Sequence, residues 1–357
     1  PTDDAWEAAM EKIKPDFNYI TNFKYMNVAP EGKDPNTTAA ASISATTAAS
    51  EKAIAIDAKL YNDSLPKRFI TRNLVYSLSY PCNEVMLSEQ VPTTDNDTVF
   101  STTMNRLSNV KEIISHCGVA ERMSNGYVRP FDHIAFKSYE TYEPILGYTR
   151  PLRTLGLKAN TRYTTVAMLT DEDTHKDPMF SELSDFLKTM IVPKTSDYLT
   201  WVVTDSTNFS STSAKPELDF ALRNVLSQKY KIYVVFCPLK SRQGVLINAP
   251  KDLYLRFDMA CNKADGTQLY QRINVPGASK ASNDIIVPAD GKFHAVELEY
   301  TFPISYYGID AFPTLFISHT KSFTTTSNRN KYEQELRIAG IFLVPAGAED
   351  YVNNMTY

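Results

Sequence analysis

Residues 198–237, YLTWVVTDSTNFSSTSAKPELDFALRNVLSQKYKIYVVFC, decide the fold. Two runs rich in β-branched and aromatic residues, Tyr198–Val203 and Lys231–Cys237, read as strands. Between them, Pro216–Gln228 reads as a helix, with Leu218, Ala221, Leu222 and Val225 at i, i+3, i+4 and i+7. Strand, helix, strand is the pattern of a βαβ unit. It would give an α/β enzyme with its site at the strand C-termini, near Asp205 and Cys237. The same letters fit a helical excursion between the two sheets of an antiparallel sandwich. The 120 residues after Cys237 favour the sandwich. They carry strand patterns and no further helix, whereas a doubly wound sheet alternates throughout.

Outward from that segment, strands are predicted at Phe69–Tyr80 (FITRNLVYSLSY), Tyr127–Phe136, Arg162–Met168, Leu253–Ala260, His294–Phe302 and Leu336–Val344. Shorter candidates are Ala53–Leu60, Gly244–Ile247, Ile285–Val287 and Thr314–Ser318. Two more helices are predicted, at Val99–His116 and at Pro178–Met190 with Asp177 as N-cap. The fold class read from these patterns is mainly β: an antiparallel β-sandwich of about eight principal strands with inserted short helices and an N-terminal arm.

The arm, residues 1–50, differs from the body at 51–357. Thr2 is a candidate N-cap, and Asp3, Asp4 and Glu7 suit the positive end of a helix running to about Ile13. Trp6, Met10, Ile13 and Phe17 fall on one apolar stripe, and Pro15 ends the pattern. Asn27–Ser50 follows as an Ala/Thr/Ser tether. As a flexible coil its roughly 24 residues span about 25–30 Å, enough to carry the helix to a neighbouring subunit. Packing on the same chain and lying at a membrane interface are the other uses of such a stripe.

Composition limits the function classes. The chain has 357 residues, a net charge of −4 and 43% hydrophobic content, so a sizeable core is expected. Residues 1–50 hold Lys12, Lys14, Lys24 and Lys33 against Asp3, Asp4, Glu7, Glu11, Asp16, Glu31 and Asp34. An arm with that balance is no cationic genome tether, and strong nucleic-acid binding by it is not expected. Gly is scarce at 12 residues, which leaves few loops able to wrap phosphate. No stretch is long and apolar enough for a transmembrane helix, and the N-terminal residues lack the regions of a signal peptide.

Four separated cysteines, Cys82, Cys117, Cys237 and Cys261, form no metal or disulfide pattern and read as free thiols. The acidic loop Asp171, Glu172, Asp173, His175 and Asp177 is the candidate metal site: alternate carboxylates offer oxygens to a hard cation such as Ca²⁺. It lacks the Gly and the distal bidentate Glu of an EF-hand, so a solvated loop ending in a helix cap is the plainer reading. His116, His133, His175, His294 and His319 are scattered, and a dyad of Asp132 with His133 is excluded if both lie on one strand. No nucleophile elbow, P-loop or dinucleotide fingerprint occurs. The chain is read as a non-enzyme that needs no cofactor.

The arm at 1–50, the strands from FITRNLVYSLSY to ELRIAGIFLV and the helices at 178–190 and 216–228 together resemble the coat proteins of small icosahedral non-enveloped viruses, picorna-like or parvovirus-like. The resemblance covers the whole chain at the level of architecture and rests on no diagnostic motif. It implies a jelly roll, self-assembly into a capsid shell with the arm clasping related coat subunits, a host receptor as partner and a place in the virion. Two alternatives stand beside it. One is a β-sandwich binding module for glycans or a partner protein, using exposed rings such as Tyr306 and Tyr307. The other is the α/β enzyme with a site near Asp205.

Overall fold

The computed structural model describes residues 1–26, 51–88, 90–92, 98–135, 137–142, 146–148, 153–155, 164–170, 185, 197–203, 217–239, 249–273, 275, 284–323 and 325–349. These fall into two compact units. One comprises Pro1–Thr21, Ile56–Pro144 and Leu226–Gln228; the other comprises Asn22–Ala55, Ile145–Val225 and Lys229–Tyr357. Residues 1–21 fall in the same unit as 56–144.

In chain order the elements of the first half are α1 (Asp3–Ile13), β1 (Asn22–Met26), β2 (Glu51–Ala55), α2 (Ala58–Arg72), β3 (Val99–Phe100), β4 (Arg106–Leu107), α3 (Val110–Ser115), β5 (Glu121–Met123) and β6 (Gly126–Val128). The second half follows with β7 (Leu146–Tyr148), β8 (Arg153–Leu155), β9 (Thr164–Thr170), β10 (Asp197–Val203), β11 (Glu217–Ala221), β12 (Lys229–Phe236) and β13 (Leu253–Asn262). It ends with β14 (Gln268–Arg272), β15 (Ile285–Val287), β16 (His294–Thr301), β17 (Thr314–His319), α4 (Thr326–Lys331) and β18 (Glu335–Pro345).

The first unit is helical and stitched by polar groups. Thr2 caps α1 by accepting from the Ala5 amide at 3.2 Å, as the sequence predicts. Ile13 and Phe17 are buried, and the Phe17 ring meets Phe69 at 5.1 Å and Tyr142 at 6.4 Å. Much of what surrounds them is hydrogen bonding. The Thr141 carbonyl accepts from Arg72, Asn73 and Asn105, and the buried Glu140 carboxylate accepts from Ser108 and Lys137. Buried polar groups of this kind are tolerated because each finds a partner.

Several expectations fail in this unit. Phe69–Tyr80 is not a strand: α2 starts at its N-cap Asp57 and carries Phe69 and Ile70 into the interior on its last turn. Of the expected helix at Val99–His116, only Val110–Ser115 is helical; β3 and β4 pair across a turn in which Met104 has φ 64°. Of the strand expected at Tyr127–Phe136, Tyr127 and Val128 pair with β5, and Phe131 makes a single isolated bridge to Cys117.

The second unit is the antiparallel β-sandwich. One sheet runs β16-β12-β18-β10-β9, with β7 also pairing β18; the other runs β14-β13-β17-β11-β8, with β15 also pairing β13. Every pairing in the two sheets is antiparallel. Trp201, Ile232, Val234 and Leu298 of the first sheet form one core cluster with Phe220, Phe257, Leu315 and Ile317 of the second. The hairpin of β1 and β2 belongs to this unit, and β1 lies against β13.

The βαβ alternative is overturned here. Strands β10 and β12 are separated by β18, and the segment between them includes β11 of the opposite sheet instead of a helix. Residues 216–228 hold two periodicities at once, and the alternation of Leu218, Phe220 and Leu222 into the core prevails over the helical one. The predicted strands at 198–203, 231–237, 253–260, 285–287, 294–302, 314–318 and 336–344 correspond to β10, β12, β13, β15, β16, β17 and β18. Edge strand β16 alternates buried Val296, Leu298 and Tyr300 with exposed Glu297 and Glu299, whose carboxylates meet Lys231 and Lys229 of β12. Charge on that edge discourages pairing with another chain. The expected tether, the strand at 244–247 and the helix at 178–190 lie outside the described residues, Asp185 excepted.

Candidate functional site

The second sheet builds a polar and aromatic ridge on the face turned away from the core. On β13, Leu253, Leu255, Phe257, Met259 and Cys261 enter the core, so Tyr254, Arg256, Asp258 and Ala260 take the opposite face. Register places Tyr270 of β14 beside Ala260 and Arg272 beside Asp258. From the other side, Phe316 of β17 stands beside Asp258, and Ile286 of β15 stands beside Tyr254.

Tyr270 is 51% exposed, yet it is held at several points. Its ring lies 5.4 Å from that of Phe316, tilted by 55°. Its hydroxyl group is a hydrogen-bond partner of Arg256. Arg256 in turn donates from Nε to Oδ2 of Asp258, two residues along the same strand face, at 2.5 Å. Burial works against the guanidinium charge, but Asp258 and Tyr270 outweigh it and hold Arg256 above the usual arginine range. Asp258 is 2% exposed, so its charge is tolerable only because of this partner.

A second aromatic group occupies the other end of the ridge. The rings of Tyr254 and Tyr332 meet edge to face at 5.0 Å. Lys321 places its ammonium 4.7 Å from the Tyr254 ring centroid and pairs with Asp284. Six residues of extended strand, about 20 Å, separate Tyr254 from the position beside Tyr270. A ring thus lies near each end, while Asp258 and Phe316 between them are buried and Arg256 is partly open. Such a surface suits a ligand with flat C–H faces and many hydroxyl groups, since a ring covers the first and charged donors hold the second.

The residues singled out by sequence fare differently. Ile13 and Phe17 are buried within the first unit, and Trp6 and Met10 of the same stripe are half-buried. Asp171, Asp173, His175, Asp177 and Asp205 lie outside the described residues. Among the described residues, no group of three or more His, Cys, Asp or Glu side chains is placed to hold a metal ion. All four cysteines are free thiols. Tyr306 is not an exposed binding ring: it is buried, and its hydroxyl group accepts from the Asn262 amide at 2.8 Å. Asp132 and His133 form no dyad. Asp132 pairs instead with His116 Nδ1 at 3.0 Å, and the His133 ring lies 4.7 Å from that of His116. Tyr270 escapes the sequence reading altogether. The signal for it is Asp265-Gly266, a hairpin turn with Gly266 at φ 82°, followed by the alternating QLYQR of β14.

No protein-family model matches this sequence, and no curated protein matches it. Among solved structures, the C-terminal family 22 carbohydrate-binding module of Clostridium thermocellum Xyn10B shares 10% identity over 52% of this chain and 82% of its own, with a TM-score of 0.27. The CBM35 of Paenibacillus barcinonensis shares 10% over 52% and 94%, at 0.24. The enzymatically active domain of tailspike protein 4 of bacteriophage CBA120 shares 8% over 57% and 20%, at 0.28. The expected capsid shell is corrected by this set: its members are carbohydrate-binding modules and a tailspike, and none is a coat protein. Two features that suggested a shell also fall away, since 216–228 holds β11 in place of a helix and FITRNLVYSLSY forms no strand.

Proposed function

We propose that this chain is a glycan-binding protein whose β-sandwich takes a sugar chain along the outer ridge of its second sheet. One observation carries the reading: the Tyr270 ring is half open to solvent while Phe316 and Arg256 fix its position. A ring so fixed loses little freedom when a sugar stacks on it, which favours affinity. Lys321, beside Tyr254 at the other end of the ridge, supplies a further polar contact, and the chain acts by binding, without turnover.

The test is a glycan array followed by calorimetry on the full chain. The expected result is binding to a defined set of glycans, weakened about tenfold or more by Tyr270→Ala. Silence across the array, or a Tyr270→Ala protein that binds as tightly as the parent, overturns it.

A further inference from the structure

Among the described residues, one cation of the ridge has no carboxylate partner. Arg256 is engaged by Asp258 and Lys321 by Asp284, both carboxylates being largely buried beneath their partners. Arg272 is different. It is exposed, it stands two residues from Tyr270 on the same face of β14, and its side chain has no ion pair or hydrogen bond among the described residues. The carboxylate nearest in register, Asp258, already holds Arg256. Residues i and i+2 of a strand lie about 7 Å apart, close to the span from the face of a sugar ring to a charged substituent on it.

From this geometry we propose that the ridge selects acidic sugars: the pyranose ring of a uronic acid stacks on Tyr270 while its carboxylate is taken by the guanidinium of Arg272. The inference rests on the glycan-binding reading and adds the chemical class of the ligand. Guanidinium and carboxylate match as two parallel donors and two acceptors, so Arg272 distinguishes a carboxylate from a hydroxymethyl group by charge and by shape. Arg256, fixed by Asp258 and Tyr270, is committed to holding the platform and contributes orientation more than charge.

The experiment measures binding of an oligogalacturonate and of its fully methyl-esterified form to the full chain at 150 mM salt. The free acid is expected to bind about tenfold to a hundredfold more tightly than the ester, the worth of one charge-assisted contact. Arg272→Gln is expected to bring that ratio close to one. Lys331→Gln, which alters a cation outside the Tyr270 row, is expected to preserve the ratio. Equal binding of acid and ester overturns the acidic preference and leaves the glycan reading standing. A ratio that falls as far with Lys331→Gln as with Arg272→Gln overturns the assignment to Arg272. Binding of neither form, with silence on a neutral array, overturns both.

Discussion

Trp201 and His319 face each other across the interior of the sandwich, one from each sheet, with ring centroids 5.0 Å apart. Trp201 Nε1 and His319 Nε2 are both buried, and neither has a hydrogen-bond partner among the described residues. The imidazole is fully enclosed, and burial pushes its pKa down to about 3. It is therefore neutral in the folded protein and must stay so.

This pair predicts acid sensitivity. Between pH 6.5 and about 3 the unfolded chain binds a proton at His319 that the folded chain does not, so stability falls as pH falls through that window. The loss is of order 5 kcal/mol over the whole window, and above pH 6.5 this group has no effect. Urea midpoints of the parent and of His319→Phe, measured from pH 7 to 4, check it. The variant is expected to lack the part of the slope that the imidazole supplies.

A second prediction concerns the packing of β18. A Cβ added at Gly340 would lie 2.7 Å from Cζ of Phe342, whose ring is buried. Gly340→Ala is expected to cost about 1–3 kcal/mol through overpacking. Combining it with Phe342→Leu frees the space, so the double variant should lose less than the two single losses added together. Thermal melts of the four proteins decide this.

Glu140 predicts how the first unit fails. Its carboxylate accepts from Ser108 N, Ser108 Oγ and Lys137 N at 2.7–3.2 Å, and it is fully buried. Glu140→Ala leaves those donors without an acceptor, at a cost of about 3 kcal/mol. Amide exchange at Ser108 and Lys137 is expected to accelerate by about a hundredfold, while the amides of β12 keep their protection.

The pair of Arg256 and Asp258 separates stability from binding. Arg256→Met strands a buried carboxylate, for a loss of about 2–3 kcal/mol once the partial exposure of the guanidinium is discounted. Arg256→Met with Asp258→Leu removes both charges and is expected to recover most of that stability. It is expected to recover none of the glycan binding, because the Tyr270 hydroxyl still lacks its anchor. Calorimetric unfolding and glycan titration on the same samples check both halves.

The sandwich was legible where a single periodicity ruled. VELEYT of β16 alternates without exception, and KIYVVF of β12 has no helical register to compete. Where two periods coexist, as in ELDFALRNV, only the opposite sheet's demand for Leu218 and Phe220 settles the outcome, and that demand is tertiary. Phe69 and Ile70 misled for a related reason: strand-forming residues close a helix that begins eleven residues upstream of Phe69, at Ala58, from a cap with no apolar run after it. The ridge was harder to see. Tyr270, Arg256 and Asp258 share no motif spacing, and they meet only because β13 and β14 pair in one register.

The interleaving of the two units along the chain bears on how the protein is made. Residues 226–228 complete the first unit, yet they emerge from the ribosome after β10 and β11 of the second. The N-terminal helix must therefore wait through more than two hundred residues of synthesis before Ser227 can donate its amide to the Asp16 carbonyl. Neither unit can be finished in sequence and handed on to the next. Phe17, Phe69 and Tyr142, which pack on one another, are all made before that segment, so the hydrogen bonds of Ser227 and Gln228 are the ones that must come last.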